Sequence, residues 1–311
     1  MSDSRPAYDV AIFDPDPAFM DYIFTGLPSM PTLGREIFAQ GLTIAPGGIF
    51  NVAVALRRIG LRPALVCRIG DDPLSRELEA RLGAEDVDTS QLMRVRGKAR
   101  AITVSLSFPH DRAFVSFVDQ PPSYRFPFSL LRQGRARALH IGSMLRGEGI
   151  LKILRAARRA GVRVSMDFHN PWGAVDDPEV KELLSFVDLL LPNATEARLI
   201  TKTKSIDRAL KRLSVFGEAA IKDGPGGSLG ARNGEIVRVP ALPIEVVDTT
   251  GAGDCFNAGY LSGWLEGRPL AECLARGNIC GGYSAAKAGG ATNLPSPARL
   301  RKELKRMGFS G

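Results

Sequence analysis

Apolar residues along this chain follow two spacings. Short, near-continuous apolar runs predict strands at Tyr8 to Phe13, Arg62 to Ile69, Ala138 to Gly142, Val162 to Asp167, Val187 to Leu191 and Ala219 to Lys222. Between them, apolar positions recur every three or four residues, which predicts helices at Leu74 to Leu82, Gly149 to Ala160, Val180 to Phe186, Ala194 to Ile200 and Ile206 to Phe216. Strands apolar on both faces and separated by amphipathic helices imply a mostly parallel sheet covered by helices on both sides. Antiparallel-looking strands follow from Ser228 to Val247. Ligands gather at the carboxyl ends of strands in such sheets. The polar groups falling there are Asp14, Ser143, Asp167 with Asn170, Asn193 and Asp223.

Two regions break the alternation. Leu27 to Pro46 is rich in proline and glycine around a strand-like Glu36 to Ile44, and Ala101 to Phe108 and Ala113 to Val118 alternate on either side of Pro109-His110-Asp111-Arg112. The second pair reads as a hairpin by period and turn chemistry. No repeat and no low-complexity tract divides residues 1–311, so the chain reads as one α/β domain.

Composition narrows the partners. Among 311 residues, 44% are hydrophobic and 24% charged, as in ordinary globular chains, and 41 Lys+Arg against 33 Asp+Glu give a charge of +8. The basic residues are scattered and aromatics make up only 7%, so there is no stacking platform or basic stripe for nucleic acid. The N-terminus has no apolar leader and no apolar run approaches membrane-spanning length, which predicts a soluble cytoplasmic protein. Cys67, Cys255, Cys273 and Cys280 lie in apolar segments without Cys-x-x-Cys spacing and read as reduced core thiols.

The candidate chemistry concentrates at Val246-Val247-Asp248-Thr249-Thr250-Gly251-Ala252-Gly253-Asp254, followed at helical spacing by Phe256, Tyr260, Leu261, Trp264 and Leu265. This reads as strand, small-residue turn and helix. The first amides of a helix lack internal acceptors and carry the positive end of its dipole, so the bare turn Gly251, Ala252, Gly253 suits an anion. Asp254 beside that anion would repel it to no purpose unless it had its own task, such as taking a proton from an attacking hydroxyl. A dinucleotide fingerprint would need glycine at Phe256, or at Leu229 in the Gly224 segment, and no P-loop occurs.

Asp-Thr-Thr-Gly-Ala-Gly-Asp-x-Phe at 248–256 resembles the C-terminal motif of the ribokinase-like (PfkB-type) carbohydrate and nucleoside kinases. A second family motif lies upstream at Pro46-Gly47-Gly48-Ile49-Phe50-Asn51, where a helix opens, and the similarity runs from about Asp9 to Pro295. The resemblance implies a ribokinase-like fold with a β-strand lid formed by about 14–45 and 97–120. It implies ATP-dependent phosphorylation of a sugar or sugar-like alcohol. A nucleoside kinase, favoured if Phe50, Phe114 and Phe117 stack a base, and an idle nucleotide or sugar sensor are the alternatives.

By the same resemblance Asp254 is the base and Gly251, Ala252 and Gly253 form the anion hole. Substrate contacts fall on Gly47, Gly48, Asn51, Thr103 and an aspartate, best Asp21, with Asp14 and Asp16 as competing placements. Asn193, Lys222, Gly224, Gly227 and Asn278 fall at nucleotide positions, and Glu196 is placed to hold Mg2+ through water, although Asn193 and Glu196 also read as a capping box. Asp248, Thr250, Ser284, Lys287, Gly289 and Asn293 match positions that hold a monovalent cation such as K+ in some relatives. Relatives often carry an arginine soon after the strand end at Asp167. None stands in Asp167-Phe168-His169-Asn170-Pro171-Trp172, which leaves Lys222 or Arg112 to compensate. Exposed lid edges invite pairing with a second copy.

Overall fold

Val10 and Ile12 face one way along the first strand, Ala11 and Phe13 face the other, and all four are fully buried. A strand buried on both faces must sit inside a covered sheet. The computed structural model, which describes residues 7–108, 112–119, 125–132, 135–169 and 171–309, builds that sheet from elements in the following order. The chain begins with β1 (Tyr8–Pro17), β2 (Phe19–Thr25), β3 (Gly41–Gly47), α1 (Ile49–Arg58), β4 (Pro63–Ile69), α2 (Pro73–Ala84), β5 (Met93–Arg94), β6 (Ala101–Ser107) and β7 (Arg112–Val118). It continues with β8 (Ala136–Ile141), α3 (Glu148–Arg159), β9 (Arg163–Met166), α4 (Pro178–Leu184), β10 (Leu189–Leu190), α5 (Ala194–Thr201), α6 (Ile206–Leu213) and β11 (Glu218–Lys222). Last come β12 (Ser228–Arg232), β13 (Glu235–Val239), α7 (Ala252–Leu265), α8 (Leu270–Ala285) and α9 (Pro297–Arg306).

Nine strands form one sheet in the order β13-β12-β11-β10-β9-β8-β1-β4-β5, parallel except at β12 and β13. Side chains alternate between two apolar layers: α1, α2, α7, α8 and α9 cover one face, and α3, α4, α5 and α6 the other. A second sheet, β3-β2-β6-β7, joins β3, β6 and β7 from the two regions that broke the sequence alternation to β2, which precedes both. Its pairing puts Asp21, Ala45, Thr103 and Ser116 in one row, on the face opposite Leu42, Ile44, Val115 and Phe117.

α7 is buried along nearly its whole length, from Cys255 to Leu265. Small residues let its neighbour come close: a Cβ on Gly259 would overlap the Arg276 carbonyl of α8, and one on Gly263 would lie 3.0 Å from the Cys273 sulfur. The four cysteines are free and buried. Burial pushes the Cys67 and Cys280 thiols up to about 12 and the Cys273 thiol up to about 11, and raises that of Cys255 further. Among the described residues, no helix is long and apolar enough to cross a membrane.

Two expectations need correction. Pairing after Ser228 ends at Val239, so no strand leads into the Gly251 turn. Val246 and Val247 are each 58% exposed, and the amides of Val247 and Asp248 donate to the Ala285 carbonyl at the end of α8. The apolar pair is therefore a loop strapped to a helix end. Likewise, residues 36–40 stay unpaired and β3 begins at Gly41. His110, Asp111 and Asn170 lie outside the described residues.

Candidate active site

The carboxyl ends of the parallel strands meet the start of α7. Gly251 caps that helix with φ 73°, a left-handed conformation that favours glycine. Space enforces the choice too, since a Cβ there would lie 2.6 Å from Asn51 Nδ2 and 2.9 Å from Gly290 Cα. The turn is tied from below. Asp248 accepts from the Thr250 amide at 3.0 Å, the Thr250 hydroxyl at 2.7 Å and the Gly289 amide at 3.3 Å. Ala252 N–H donates to the Thr249 carbonyl at 3.2 Å, whereas the amides of Gly251, Gly253 and Asp254 find no acceptor among the described residues. Of the expected trio, Gly251 and Gly253 thus keep open amides and Ala252 does not, while the amide of Asp254 joins them.

Asp254 accepts a 3.3 Å hydrogen bond from Asn51 Nδ2, and Asn51 Oδ1 accepts from the Ala291 amide at 3.0 Å. Asn51 is buried, and its amide is spent on linking α1, α7 and the turn after α8. Burial pushes Asp254 up to about 7, and the charge of Asp167 adds to that, against the opposing pull of Lys222 and Asn51. A carboxyl poised there exchanges protons near neutrality.

Lys222 Nζ donates to both oxygens of Asp167, at 3.0 and 2.9 Å, and to Asn257 Oδ1 at 3.2 Å. Asn257 Nδ2 in turn donates to Asp167 at 2.5 Å. Burial opposes ionisation of Asp167, yet the Lys222 charge and these hydrogen bonds leave it below the usual carboxylate range. Beneath this group, His140 lies fully buried with Nδ1 3.0 Å from the Ser165 hydroxyl, and burial lowers it to about 4, so the ring is neutral.

Asp21 lies on the sheet face that also carries Thr103, and its carboxylate packs so tightly on Gly47 that a Cβ there would overlap it. Burial, with the nearby charge of Asp248, pushes Asp21 up to about 7. The Thr103 hydroxyl pairs with Ser116 at 3.0 Å. Gly48 caps α1 at φ 59°. Asp14 sits beside the start of α1, where its carboxylate lines the space next to Gly142 together with Ile49. It accepts from the Asp16 amide at 3.0 Å and from Ser143, and burial pushes it up to about 6. Asp16 instead pairs with Arg68 at 3.1 Å.

Asn193 and Glu196 form a reciprocal capping box, Glu196 N–H to Asn193 Oδ1 at 2.9 Å and Asn193 N–H to Glu196 Oε2 at 2.8 Å. Burial and then Asp167 raise Glu196, so it shares the field of the Lys222 group. Gly224 and Gly227 take φ 51° and 84°. Asn278 donates to the carbonyls of Val239 and Pro240 at 3.0 and 2.9 Å and so anchors the chain leaving β13. Ser284 donates to the Gly290 carbonyl at 3.0 Å and Asn293 to the Tyr283 carbonyl at 2.6 Å. These contacts gather the 284–293 turn against Asp248, with the Lys287 amide on the Ser284 carbonyl at 3.3 Å. Among the described residues, no cluster of three or more His, Cys, Asp or Glu could hold a metal by itself. A single carboxylate such as Glu196 suits Mg2+ that arrives on phosphate oxygens with its own waters.

Phe50 is buried in the core, while Phe114 and Phe117 project to opposite faces of the small sheet. Those rings do not form one stacking wall. Sequence reasoning missed Asn257, although its place one helical turn after Asp254 puts both on one side of α7. It also missed that Asp167 and Lys222 meet.

A family model described as pfkB family carbohydrate kinase matches residues 36–297. A fructokinase of Klebsiella pneumoniae is 30% identical over 282 residues, covering 83% of this chain and 92% of the relative. A cytidine kinase of Thermococcus kodakarensis is 30% identical over 274 residues, covering 83% and 93%. In three dimensions the chain is similar to an Arabidopsis thaliana ribokinase complexed with ribose and ATP, with a TM-score of 0.77 at 23% identity over 96% of this chain and 99% of that one.

Proposed function

The chain belongs to the pfkB family of carbohydrate kinases, and on that premise we propose that it moves the γ-phosphate of ATP to a hydroxyl of a sugar or sugar-like alcohol. The observation that carries the reading is Asp254, a carboxyl pushed up to about 7 directly beside unengaged helix-start amides. A phosphoryl group at Gly251, Ala252, Gly253 and Asp254 gains the open amides of Gly251, Gly253 and Asp254 as donors in a fixed geometry. Asp254 takes the proton of the attacking hydroxyl, and Lys222 offers positive charge to the transferring group.

Asp21, Gly47, Gly48 and Thr103 orient the acceptor, with Asp14 beside the start of α1. Asn51 acts mainly through Asp254, because its amide already serves the carboxyl and the 290–292 turn. Asn193, Gly224, Gly227 and Asn278 shape the nucleotide side. Glu196 would hold Mg2+ through water, supplying charge neutralisation on the phosphates. A monovalent cation such as K+ would be held by Asp248 and the carbonyl-rich 284–293 turn, fixing the loop under the anion site. The small sheet, about 14–45 and 97–120, serves as a lid that excludes water. Four buried free thiols support a reducing cytoplasmic setting, and the exposed apolar row on the small sheet supports a homodimer.

A sugar is favoured over a nucleoside because Phe50, Phe114 and Phe117 do not converge. The test is ADP release on ribose, fructose, adenosine and cytidine by the wild type and Asp254→Asn. We expect turnover on a sugar and a drop in kcat of at least about 100-fold in the variant, with KM for ATP nearly constant. Nucleotide binding with no turnover on any acceptor would identify a sensor instead, and undiminished turnover by Asp254→Asn would remove the carboxyl from its role.

A further inference from the structure

A lysine side chain reaches an active site on four flexible methylenes, and holding its head still costs rotamer freedom. Lys222 is nevertheless fixed, with only 12% of its side chain exposed. Its backbone is anchored where the amide donates to the Pro192 carbonyl at 3.0 Å, and its ammonium meets one acceptor for each of its three protons. The acceptors come from different elements: Asp167 follows β9, and Asn257 lies one turn into α7 from Asp254. The hydrogen bond from Asn257 to Asp167 closes a triangle. The triangle lies under the anion turn, because a Cβ built on Gly253 would stand 3.6 Å from Lys222 Nζ.

We propose that Asp167 and Asn257 are positioning residues for phosphoryl transfer, pinning the Lys222 ammonium under the first turn of α7 so that it meets the arriving phosphate. This rests on the phosphotransferase reading and extends it to groups that touch neither substrate. The 3.2 Å bond to Asn257 is the longest of the three, and a phosphate oxygen replaces it while the charge-assisted pair with Asp167 persists. Asp167 has a second effect through space. The groups bearing on Asp254 are Asp167 just after β9, Lys222 from β11, Asn51 from α1 and Asp21 from β2. Glu196 from α5 and the neutral His140 from β8 share the field of Asp167 and Lys222. Lys222 is the cation in that set, and the negative charge of Asp167 keeps Asp254 harder to ionise.

The experiment compares Asp167→Asn, Asp167→Glu, Asn257→Ala and Lys222→Met by kcat against pH, by calorimetric binding of a non-hydrolysable ATP analogue, and by thermal melting. Asp167→Asn removes the charge and keeps the shape. It is expected to lower kcat about 10- to 100-fold with analogue affinity unchanged or tighter, and to move the acid limb of the profile to lower pH by up to about one unit. Asp167→Glu, which keeps the charge and displaces it, lowers kcat with the acid limb in place. Asn257→Ala costs about tenfold with the limb unmoved, whereas Lys222→Met weakens analogue binding and moves the limb to higher pH. Wild-type kcat and an unmoved limb in Asp167→Asn would overturn the proposal, as would losses of kcat and affinity that simply track a lowered melting temperature. If the wild type phosphorylates nothing, the phosphotransferase reading fails, and calorimetry still decides. Affinity kept by Asp167→Asn and lost by Lys222→Met supports the pinning, and equal affinity in all variants refutes it.

Discussion

Burial sets the chemistry of Asp254 before any substrate arrives. A carboxyl whose folded pKa stands at about 7 against an ordinary value of 3.8 is costly to ionise in place. Its stabilising contribution is full below the unfolded value and is lost as pH rises through about 7. Two effects of opposite sign follow. Turnover should fall as pH drops below about 7, because Asp254 must be ionised to act as the proposed base. Replacing Asp254 with Asn, which keeps the size and can still face Asn51, should stabilise the protein at pH 8 by on the order of 2 kcal/mol, a rise in melting temperature of about 2–5 °C. The gain should vanish below roughly pH 3, where the acid is protonated in both states. Melting curves across that range check it, and a variant less stable than the wild type at pH 8 would contradict it. Asp254 was legible because a carboxylate, three small residues and a helix start are adjacent in sequence. Asp167 was visible only as a polar strand end and Lys222, 55 residues away, only through the resemblance, as a nucleotide position or compensating charge. Nothing local says that they touch.

The fold was legible wherever one element carries its own period. The buried strands and amphipathic helices fall where the apolar spacing puts them, usually within a few residues. Val246-Val247 misled because apolarity alone cannot distinguish a strand from a loop tied to a helix end. What the anion turn needs is fixed by space. Gly251 is held between Asn51 and Gly290, so an added methyl must move the amide that reaches Asp254. Gly251→Ala should therefore cut kcat by at least about 100-fold while destabilising the fold by about 1–2 kcal/mol for the positive φ and by about 1–3 kcal/mol more for the overlap. Steady-state kinetics and thermal melting separate the two, and wild-type turnover in Gly251→Ala would remove the turn from the transfer.

At the scale of the whole molecule, the small sheet presents a row of apolar side chains to solvent: Leu42 is 54% exposed, Ile44 41%, Val115 66% and Phe117 52%. All four share the face away from Asp21. Exposed apolar rows of this kind mark association surfaces. The proposed pairing of two copies predicts that the wild type sediments at twice the mass of one chain and that Ile44→Glu with Val115→Glu sediments at the mass of one. A monomeric wild type at the highest soluble concentration would dismiss the pairing. The β6–β7 hairpin was foreseen from its alternating residues, and β2 was not. Which side meets solvent was not, because both sides mix apolar and polar positions.

The four enclosed sulfurs carry a practical consequence. Each is sealed in the core with its thiol held well above neutrality, so alkylating reagents find no thiolate to attack while the chain is folded. Any slow modification of Cys255 would then time the opening of the helix that begins one residue before Gly253, making this sulfur a built-in clock for breathing of the proposed catalytic centre.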